Sequence, residues 1–241
     1  MALDRTRVRG RRGQGRRGPP RKGPGGPPRK AAISAPAMAS VRPGRRAQRG
    51  ERREAILAAA LAEFSGRGFA ATRLDDVAHR AGVAKGTIYL YFRDKESLFQ
   101  ELIRSQLTPF VDTVEAAFAH DLPARAVAQQ AVELFVREIY GTSRKDVIRL
   151  VISEGPRFPQ LAEFYHREVL SRILGAIRGV LERAAKRGEL RSKSLIRFPQ
   201  LIGAPGILAI VWNGLFGTFD PVDVRAMMTA HLDLLFEGDG T

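Results

Sequence analysis

The sequence predicts an all-α protein, in which a three-helix helix-turn-helix head precedes a six-helix body. From about residue 51 onward, apolar residues recur at the i, i+3 and i+4 spacing of amphipathic helices. No stretch shows the strict alternation of apolar and polar residues that indicates a strand. Residues 72–95 contain two short helical patterns separated by a glycine, and this arrangement is typical of a helix-turn-helix.

Small and apolar residues occupy the positions at which the two short helices would cross. Val77 and Ala81 on the first helix are placed to face Val83 and Ile88 beyond the turn. Gly82 lies at the corner, where the chain is expected to need a positive φ that any Cβ would penalise. The second helix is then free to lie in a DNA major groove.

Polar residues flank this unit at both ends. Thr72, followed three residues later by Asp75, matches the capping box that begins a helix. Asp94 is a candidate N-cap of the next helix, and Lys95 falls in that helix's first turn. A lysine there opposes the helix dipole, so we expect its ammonium group to meet a phosphate.

The second helix keeps a short polar surface once Val83, Ile88 and Leu90 turn toward the core. This surface consists of Lys85, Gly86, Thr87, Tyr89 and Tyr91. A cation, an open backbone, a hydroxyl and two phenols suit phosphate oxygens and base edges. The alternative interpretation is a solvated amphipathic helix in an all-α enzyme.

Residues 51–99 resemble the signature of the TetR family of bacterial transcription regulators. The matching runs are ERREAILAAALAEFSGRGFAATRLDDVAHRAG and GVAKGTIYLYFRDKESLF. The resemblance implies an all-helical homodimer, in which a ligand in the body moves two DNA-binding heads apart and releases the operator. The residues that it assigns to DNA binding are Thr72, Lys85, Gly86, Thr87, Tyr89, Tyr91 and Lys95. Ala84 departs from the pattern, and the missing Ser or Thr cap is worth about 0.5–2 kcal/mol.

Positive charge is concentrated at the start of the chain. The formal net charge is +15, and residues 1–53 hold 17 Lys and Arg against two acidic residues, so the remainder is neutral. Residues 1–50 are rich in Arg, Gly and Pro and offer little to bury, which predicts a disordered basic tail. The tail could be a DNA-binding arm, a solvated segment without a role, or sequence upstream of a true start at Met38.

The sequence offers little support for an enzyme. The four histidines, His79, His120, His166 and His231, fall on separate predicted elements without metal-ligand spacing. It contains neither a phosphate-binding loop motif nor a nucleophile in a recognisable setting. We therefore expect no catalytic residues, no metal and no cofactor, and the absence of cysteine fits a reducing cytoplasm.

The periodicity also predicts the order of the elements. The expected helices are 51–66, the two of the helix-turn-helix, one from 95 to about 119 with a break or kink near Pro109, 123–140, 144–153, 160–187, 195–216 and 222–236. The expected domains are the tail at 1–50, the DNA-binding head at 51–97 and a ligand-binding and dimerisation body at 98–237.

The segment 198–219 carries no charge, so a membrane span competes with a buried helix. Its glycines and prolines, and the lack of a second such segment, argue against a span. The family resemblance implies instead that the last two long helices form a four-helix bundle with a second subunit. The candidate interface or core residues are Trp212, Leu215, Phe216, Leu232, Leu235 and Phe236.

The body is expected to hold an effector pocket between its middle helices. The candidate lining residues are Phe110, Phe135, Phe158, Tyr165, His166 and Trp212, each of which could equally be plain core. The favoured function is a cytoplasmic, ligand-responsive repressor, without membrane association, that binds a palindromic operator in double-stranded DNA as a homodimer. A small, largely apolar molecule would release it. The alternative is a tail-driven, weakly sequence-specific nucleoid-type DNA-binding protein.

Overall fold

The computed structural model describes residues 45–236, together with Gly18 and Gly23. Helices joined by short connections make up residues 45–236, which confirms the predicted all-α class. The predicted tail lies outside the described residues, apart from those two glycines and residues 45–50. Residues 45–50, which were predicted to belong to the tail, are helical and form the start of the first helix.

The head consists of α1 (Arg45–Ala71), α2 (Leu74–Arg80) and α3 (Lys85–Tyr89). Helix α1 forms because Ile56, Ala60 and Phe64 fall on one buried face. It begins earlier than predicted and continues beyond the predicted end at Gly66. The glycine signal in this region marks a kink inside α1, because Gly68 adopts a non-helical φ of 76° and ψ of 166°.

Seven further helices follow in the described part of the chain. They are α4 (Lys95–Phe118), α5 (Ala124–Phe135, continued by a π-helical turn at Val136–Tyr140), α6 (Arg144–Glu154), α7 (Pro159–Tyr165, a π-helical turn at His166–Leu170, then Ser171–Arg187), α8 (Ser194–Arg197), α9 (Gln200–Phe216) and α10 (Val224–Leu235). The body has one more helix than predicted, because the predicted helix at 195–216 is divided before Pro199. A residue that precedes a proline is disfavoured in the α region, and Phe198 accordingly leaves it.

Of the break or kink predicted at Pro109, the break does not occur, because Pro109 lies inside α4 without ending it. Leu107 and Val111, on either side, are almost fully buried. Fully burying one such side chain stabilises by about 1.5–3 kcal/mol, and two of them offset the ~3 kcal/mol that an internal proline costs. Helix α4 therefore runs unbroken from the head into the body.

One apolar core is shared by the head and the body. In the head it contains Phe64, Phe69 and Phe99, whose ring centroids lie 5.4–5.6 Å apart. The same cluster continues along α4 through Leu107 to Phe164 of α7. Because these residues pack together without a gap, a shift of the head must repack part of the body.

Exposed apolar side chains are concentrated on α9, on α10 and in the residues that flank α9. No described helix is long and apolar enough to cross a membrane. Eight of the twelve large hydrophobic residues that are exposed in the described part of the chain lie in this region: Phe198, Leu201, Ile207, Leu208, Leu215, Phe216, Phe219 and Leu234. We refer to these eight residues as the α9–α10 face.

Two candidate interface residues prove to be core residues of this chain. Leu232 and Phe236 are only 3% and 2% exposed and pack in a second core. Leu232 follows Val224 and Met228 at intervals of four residues, so all three turn inward on one side of α10. Leu234, which was not among the candidates, is 71% exposed.

Candidate DNA-binding surface and effector site

The turn between α2 and α3 has the predicted geometry. Gly82 adopts a φ of 65°, in the left-handed region that favours glycine. The backbone N–H of Val83 donates to the carbonyl of Ala78 at 3.0 Å, which closes the corner. Val77 and Ile88 are fully buried against the head core. These contacts hold α3 on the outside of the head.

Thr72 does not form the predicted capping box. The N-cap of α2 is Arg73, whose side chain makes no capping hydrogen bond. The Thr72 hydroxyl instead donates to the carbonyls of Gly68 at 2.8 Å and Glu63 at 3.1 Å, and the residue is 1% exposed. Its side chain is buried and holds the end of α1, so a DNA contact at this residue would have to come from its backbone.

The exposed side of α3 carries three of the candidate DNA-binding residues. Lys85 is exposed, and its ammonium donates to the Asp75 carboxylate at 2.8 Å, which raises the Lys85 pKa. Gly86 is exposed, and a Cβ added there would meet nothing within 4 Å. Tyr89 is 51% exposed at the end of α3. Thr87, beside them, is half-buried.

Two neighbouring residues differ from expectation. Leu90 was expected in the core but is 75% exposed, because α3 ends at Tyr89 and the chain turns outward there. Tyr91 packs partly against the head core, and the guanidinium of Arg49 lies 5.7 Å from its ring centroid. Leu90 is therefore exposed beside α3, whereas Tyr91 turns partly toward the head core.

The ammonium group of Lys95 is engaged in hydrogen bonds within the protein. Its Nζ donates to the carbonyls of Phe69, Ala70 and Thr72 at 2.7, 2.9 and 3.0 Å. Desolvation lowers the pKa of this ammonium group, while the charge of Glu154 acts in the opposite direction. Lys95 thus ties α4 to the end of α1, and a phosphate contact would require it to give up one of these carbonyls.

The predicted N-cap of α4 is confirmed. The backbone N–H of Ser97 donates to the Asp94 carboxylate at 2.7 Å, and the Asp94 backbone N–H donates to the Ser97 hydroxyl at 3.1 Å. The first of these bonds is the main reason that the pKa of Asp94 is lowered. This reciprocal cap fixes where α4 leaves the head.

An ion-pair network between α1 and α2 was not found from the sequence. Arg80 donates to the Glu63 carboxylate at 2.6 Å, and Arg67 lies 3.4 Å from its other oxygen. The Arg80 hydrogen bond is the largest cause of a lowered Glu63 pKa. Arg67 is four positions from Glu63 on the same helix, so helical spacing places the two side chains close together. Arg80 is 17 positions away on α2, and the pattern of α1 does not predict its contact with Glu63.

The six candidate effector residues lie at several places. Phe110 and Phe135 pack between the two cores of the body. Phe158 packs edge-to-face against Phe69 of the head with centroids 4.9 Å apart, and Tyr165 is buried.

His166 and Trp212 lie nearer the surface. His166 is exposed, with its Nδ1 3.3 Å from the Ser171 hydroxyl, so it does not line an interior pocket as expected. Trp212 is half-buried, and its indole N–H donates to the carbonyl of Asp220 at 2.7 Å. Two open clefts of about 470 Å³ each, between α1, α6 and α9 and between α4 and α7, are lined by other residues.

Comparison with known proteins matches both parts of this fold. The family model "Bacterial regulatory proteins, tetR family" matches residues 56–102. The model "Tetracyclin repressor-like, C-terminal domain" matches residues 124–230. The first covers the head with the start of α4, and the second covers most of the body.

Individual relatives agree with these matches. The chain is 33% identical over 156 residues to the HTH-type transcriptional repressor BepR of Brucella suis, which is 61% of this chain and 73% of that protein. It is 23% identical over 196 residues to the fatty acid metabolism regulator protein of Bacillus subtilis, covering 76% and 93%. The solved structure of FadR from Bacillus subtilis, in complex with stearoyl-CoA, aligns with a TM-score of 0.61 at 21% identity, over 78% of this chain and 99% of that one.

A helix-turn-helix head in front of an all-helical body, with these matches, defines a DNA-binding transcription regulator. Within that class, the chain belongs to the TetR family of bacterial transcription regulators. The relatives that it matches are regulators rather than enzymes.

Proposed function

We propose that this protein is a homodimeric, ligand-responsive repressor that binds a palindromic operator and is released by a small, largely apolar effector. The observation that carries the proposal is the outward surface of α3, where Lys85, Gly86 and Tyr89 are exposed on a helix held by Gly82. Lys85 would exchange Asp75 for a phosphate, and Tyr89 would reach base edges or backbone. Leu90 adds an apolar contact suited to a thymine methyl group.

Dimerisation is proposed from the α9–α10 face. An exposed apolar patch of this kind on a monomer commonly marks an interface. A two-fold dimer would present two α3 helices to half-sites about 34–36 Å apart, or a multiple of that distance. A palindromic operator follows from this symmetry.

An apolar effector is proposed from the junction between the two cores. Phe110, Phe135 and Tyr140 contact both clusters without being fully buried. Asn213 donates to the Tyr140 hydroxyl at 2.7 Å and supplies a polar group at the same place. The relative solved with stearoyl-CoA carries a ligand with a long apolar chain. An effector here releases DNA only insofar as it binds the DNA-free arrangement more tightly.

Substitutions on α3 test the DNA-binding assignment. We expect Lys85→Ala and Tyr89→Phe to weaken binding to a duplex enriched from genomic DNA, by about 5- to 150-fold for contacts worth about 1–3 kcal/mol. Fluorescence anisotropy at near-physiological salt measures this effect. Lys186→Ala removes the same charge from an exposed position at the end of α7 and serves as the control. Wild-type affinity in both α3 variants would refute the assignment.

The basic composition of residues 1–53 supports the second candidate, a tail-driven nucleoid-type protein. Such a protein would show a steep salt dependence and little discrimination between operator and random duplex. Deleting residues 1–37 separates the two candidates. The repressor keeps its preference for the enriched duplex, whereas a tail-driven binder loses most of its affinity for both duplexes.

A further inference from the structure

The cleft between α1, α6 and α9 has mostly apolar walls. Its volume is about 470 Å³. The walls are formed by Phe64, Leu150, Ile152, Ile210, Val211 and Leu215. Since α1 belongs to the head and α6 and α9 to the body, any occupant contacts both parts of the molecule. None of the six candidate effector residues lines this cleft.

Glu154, at the last position of α6, lines this cleft, and one of its carboxylate oxygens lacks a hydrogen-bond partner. Its Oε2 is buried and has no hydrogen-bond partner, the only such side-chain atom among the residues that the structure describes. A Cβ added to Gly68 would come within 2.6 Å of the Glu154 Oε1 atom, so the glycine leaves space for the carboxylate. A buried polar atom without a partner costs free energy and is uncommon in folded proteins.

The cations around Glu154 are engaged elsewhere. Arg149, which also lines the cleft, is 3.2 Å from Asp146 and donates twice to the carbonyl of Ile210, at 3.2 and 3.3 Å. Lys95 donates to three carbonyls, and no described cation lies within the 4 Å ion-pair distance of Glu154. With Asp146 and Arg149 paired, Glu154 is the acidic residue of this cleft that lacks an ion pair, and the Lys95 ammonium acts on it only from beyond that distance.

We propose that this cleft binds a small amphipathic organic cation, whose ammonium or guanidinium group donates to Glu154 and whose apolar part packs against Leu150, Ile210 and Val211. An N–H donor at this place satisfies the buried oxygen, and a positive charge balances the carboxylate. The apolar walls accept a hydrocarbon or aromatic portion, as small-molecule sites generally do. This site is separate from the junction at Phe110 and Phe135.

Calorimetric titration of the full chain with matched head groups tests the site. The probes are tryptamine, which is cationic near neutral pH as alkyl amines are, the neutral alcohol tryptophol and the anion indole-3-acetate. Octylamine is a second cation with a different apolar part. Saturable binding of at least one amine, with the alcohol and the acid weaker by about tenfold or more, supports the proposal. No saturable binding of either amine at millimolar concentration overturns it, as does equal binding of the neutral probe.

Glu154→Gln identifies the group responsible. The variant is expected to lose about tenfold or more in amine affinity, whereas Glu182→Gln, the same change at an exposed position of α7, keeps it. Its unfolding midpoint is expected to change little, because Oε2 has no hydrogen bond to lose and only the longer-range attraction to the Lys95 ammonium is removed. Unchanged amine affinity in Glu154→Gln contradicts the proposal. The head-group comparison in the wild-type chain stands whether or not this variant folds.

Discussion

Gly68 is a residue whose backbone conformation requires glycine. Its φ of 76° and ψ of 166° lie in a region that is essentially restricted to glycine. The conformation directs Phe69 into the ring cluster with Phe64 and Phe99. It also leaves the space that the Glu154 carboxylate occupies.

We expect Gly68→Ala to lower the free energy of unfolding by about 1–3 kcal/mol, the range for side chains forced into this region. The added Cβ would also displace Glu154. Gly66→Ala, two residues earlier, is the matched control. Gly66 is helical and has nothing within 4 Å of an added Cβ, so alanine there is expected to be neutral or to stabilise by up to ~1 kcal/mol. Denaturant unfolding compares the two, and equal effects would contradict the role given to Gly68.

The sequence correctly predicted two features of single residues that depend only on near neighbours in the chain. The positive φ of Gly82 and the cap by Asp94 follow from neighbours within three residues, and both are confirmed. The partners of Thr72 and Lys95 lie up to nine and 26 residues away. Their hydrogen bonds depend on how α1 ends and packs, which the sequence pattern does not contain.

At the scale of elements, α1 and α2 are joined by the Glu63 carboxylate and two arginines. Glu63 is buried, whereas Arg80 and Arg67 remain exposed. The lowered Glu63 pKa means that folding stabilises the ionised form of this carboxylate relative to the unfolded chain. This stabilisation is therefore present above the unfolded pKa of Glu63 and is lost as the pH falls through the lowered folded value.

We accordingly expect the stability of the protein to fall as the pH drops below about 4.3, the ordinary value for Glu. Glu63→Gln removes the titrating group, so part of this acid dependence should disappear from unfolding curves measured across the acidic range. Glu182→Gln, at an exposed site, should retain the wild-type slope. An identical pH dependence in the wild type and Glu63→Gln would show that the network contributes nothing.

Helical periodicity predicted the elements better than it predicted their interruptions. Helices α5, α6, α7 and α10 lie close to their expected positions. Pro109 was expected to break or kink α4, but the helix continues past it between buried neighbours. Pro199 does separate α8 from α9, although no break was expected there. The difference lies in packing against other helices, which composition alone does not reveal.

At the scale of the whole molecule, two features extend over several helices: the core shared by head and body, and the exposed α9–α10 face. The core runs from Phe64 of the head through Leu107 to Phe164 of the body. The α9–α10 face leaves large apolar side chains outside any core of the single chain. The sequence predicted the location of this face but not which residues of α10 turn outward.

Leu208→Glu tests the proposed dimer. Leu208 is 53% exposed in the middle of α9, so two buried carboxylates would enter a symmetric interface. We expect the dimer to weaken by at least about 2 kcal/mol, as for the loss of an interface hot spot, with the helical content unchanged. Leu122→Glu places the same charge on an exposed leucine outside the face and should leave association intact. Analytical ultracentrifugation gives the result, and a wild-type dimer in Leu208→Glu would exclude this face.

The most direct test of the whole account is a selection of bound fragments from the genomic DNA of the source organism, with the full chain at near-physiological salt. A dimeric repressor with α3 as its reading helix is expected to enrich a two-fold symmetric sequence, with half-sites spaced by one helical turn or a multiple of it. Uniform recovery of fragments without a shared motif would contradict the account.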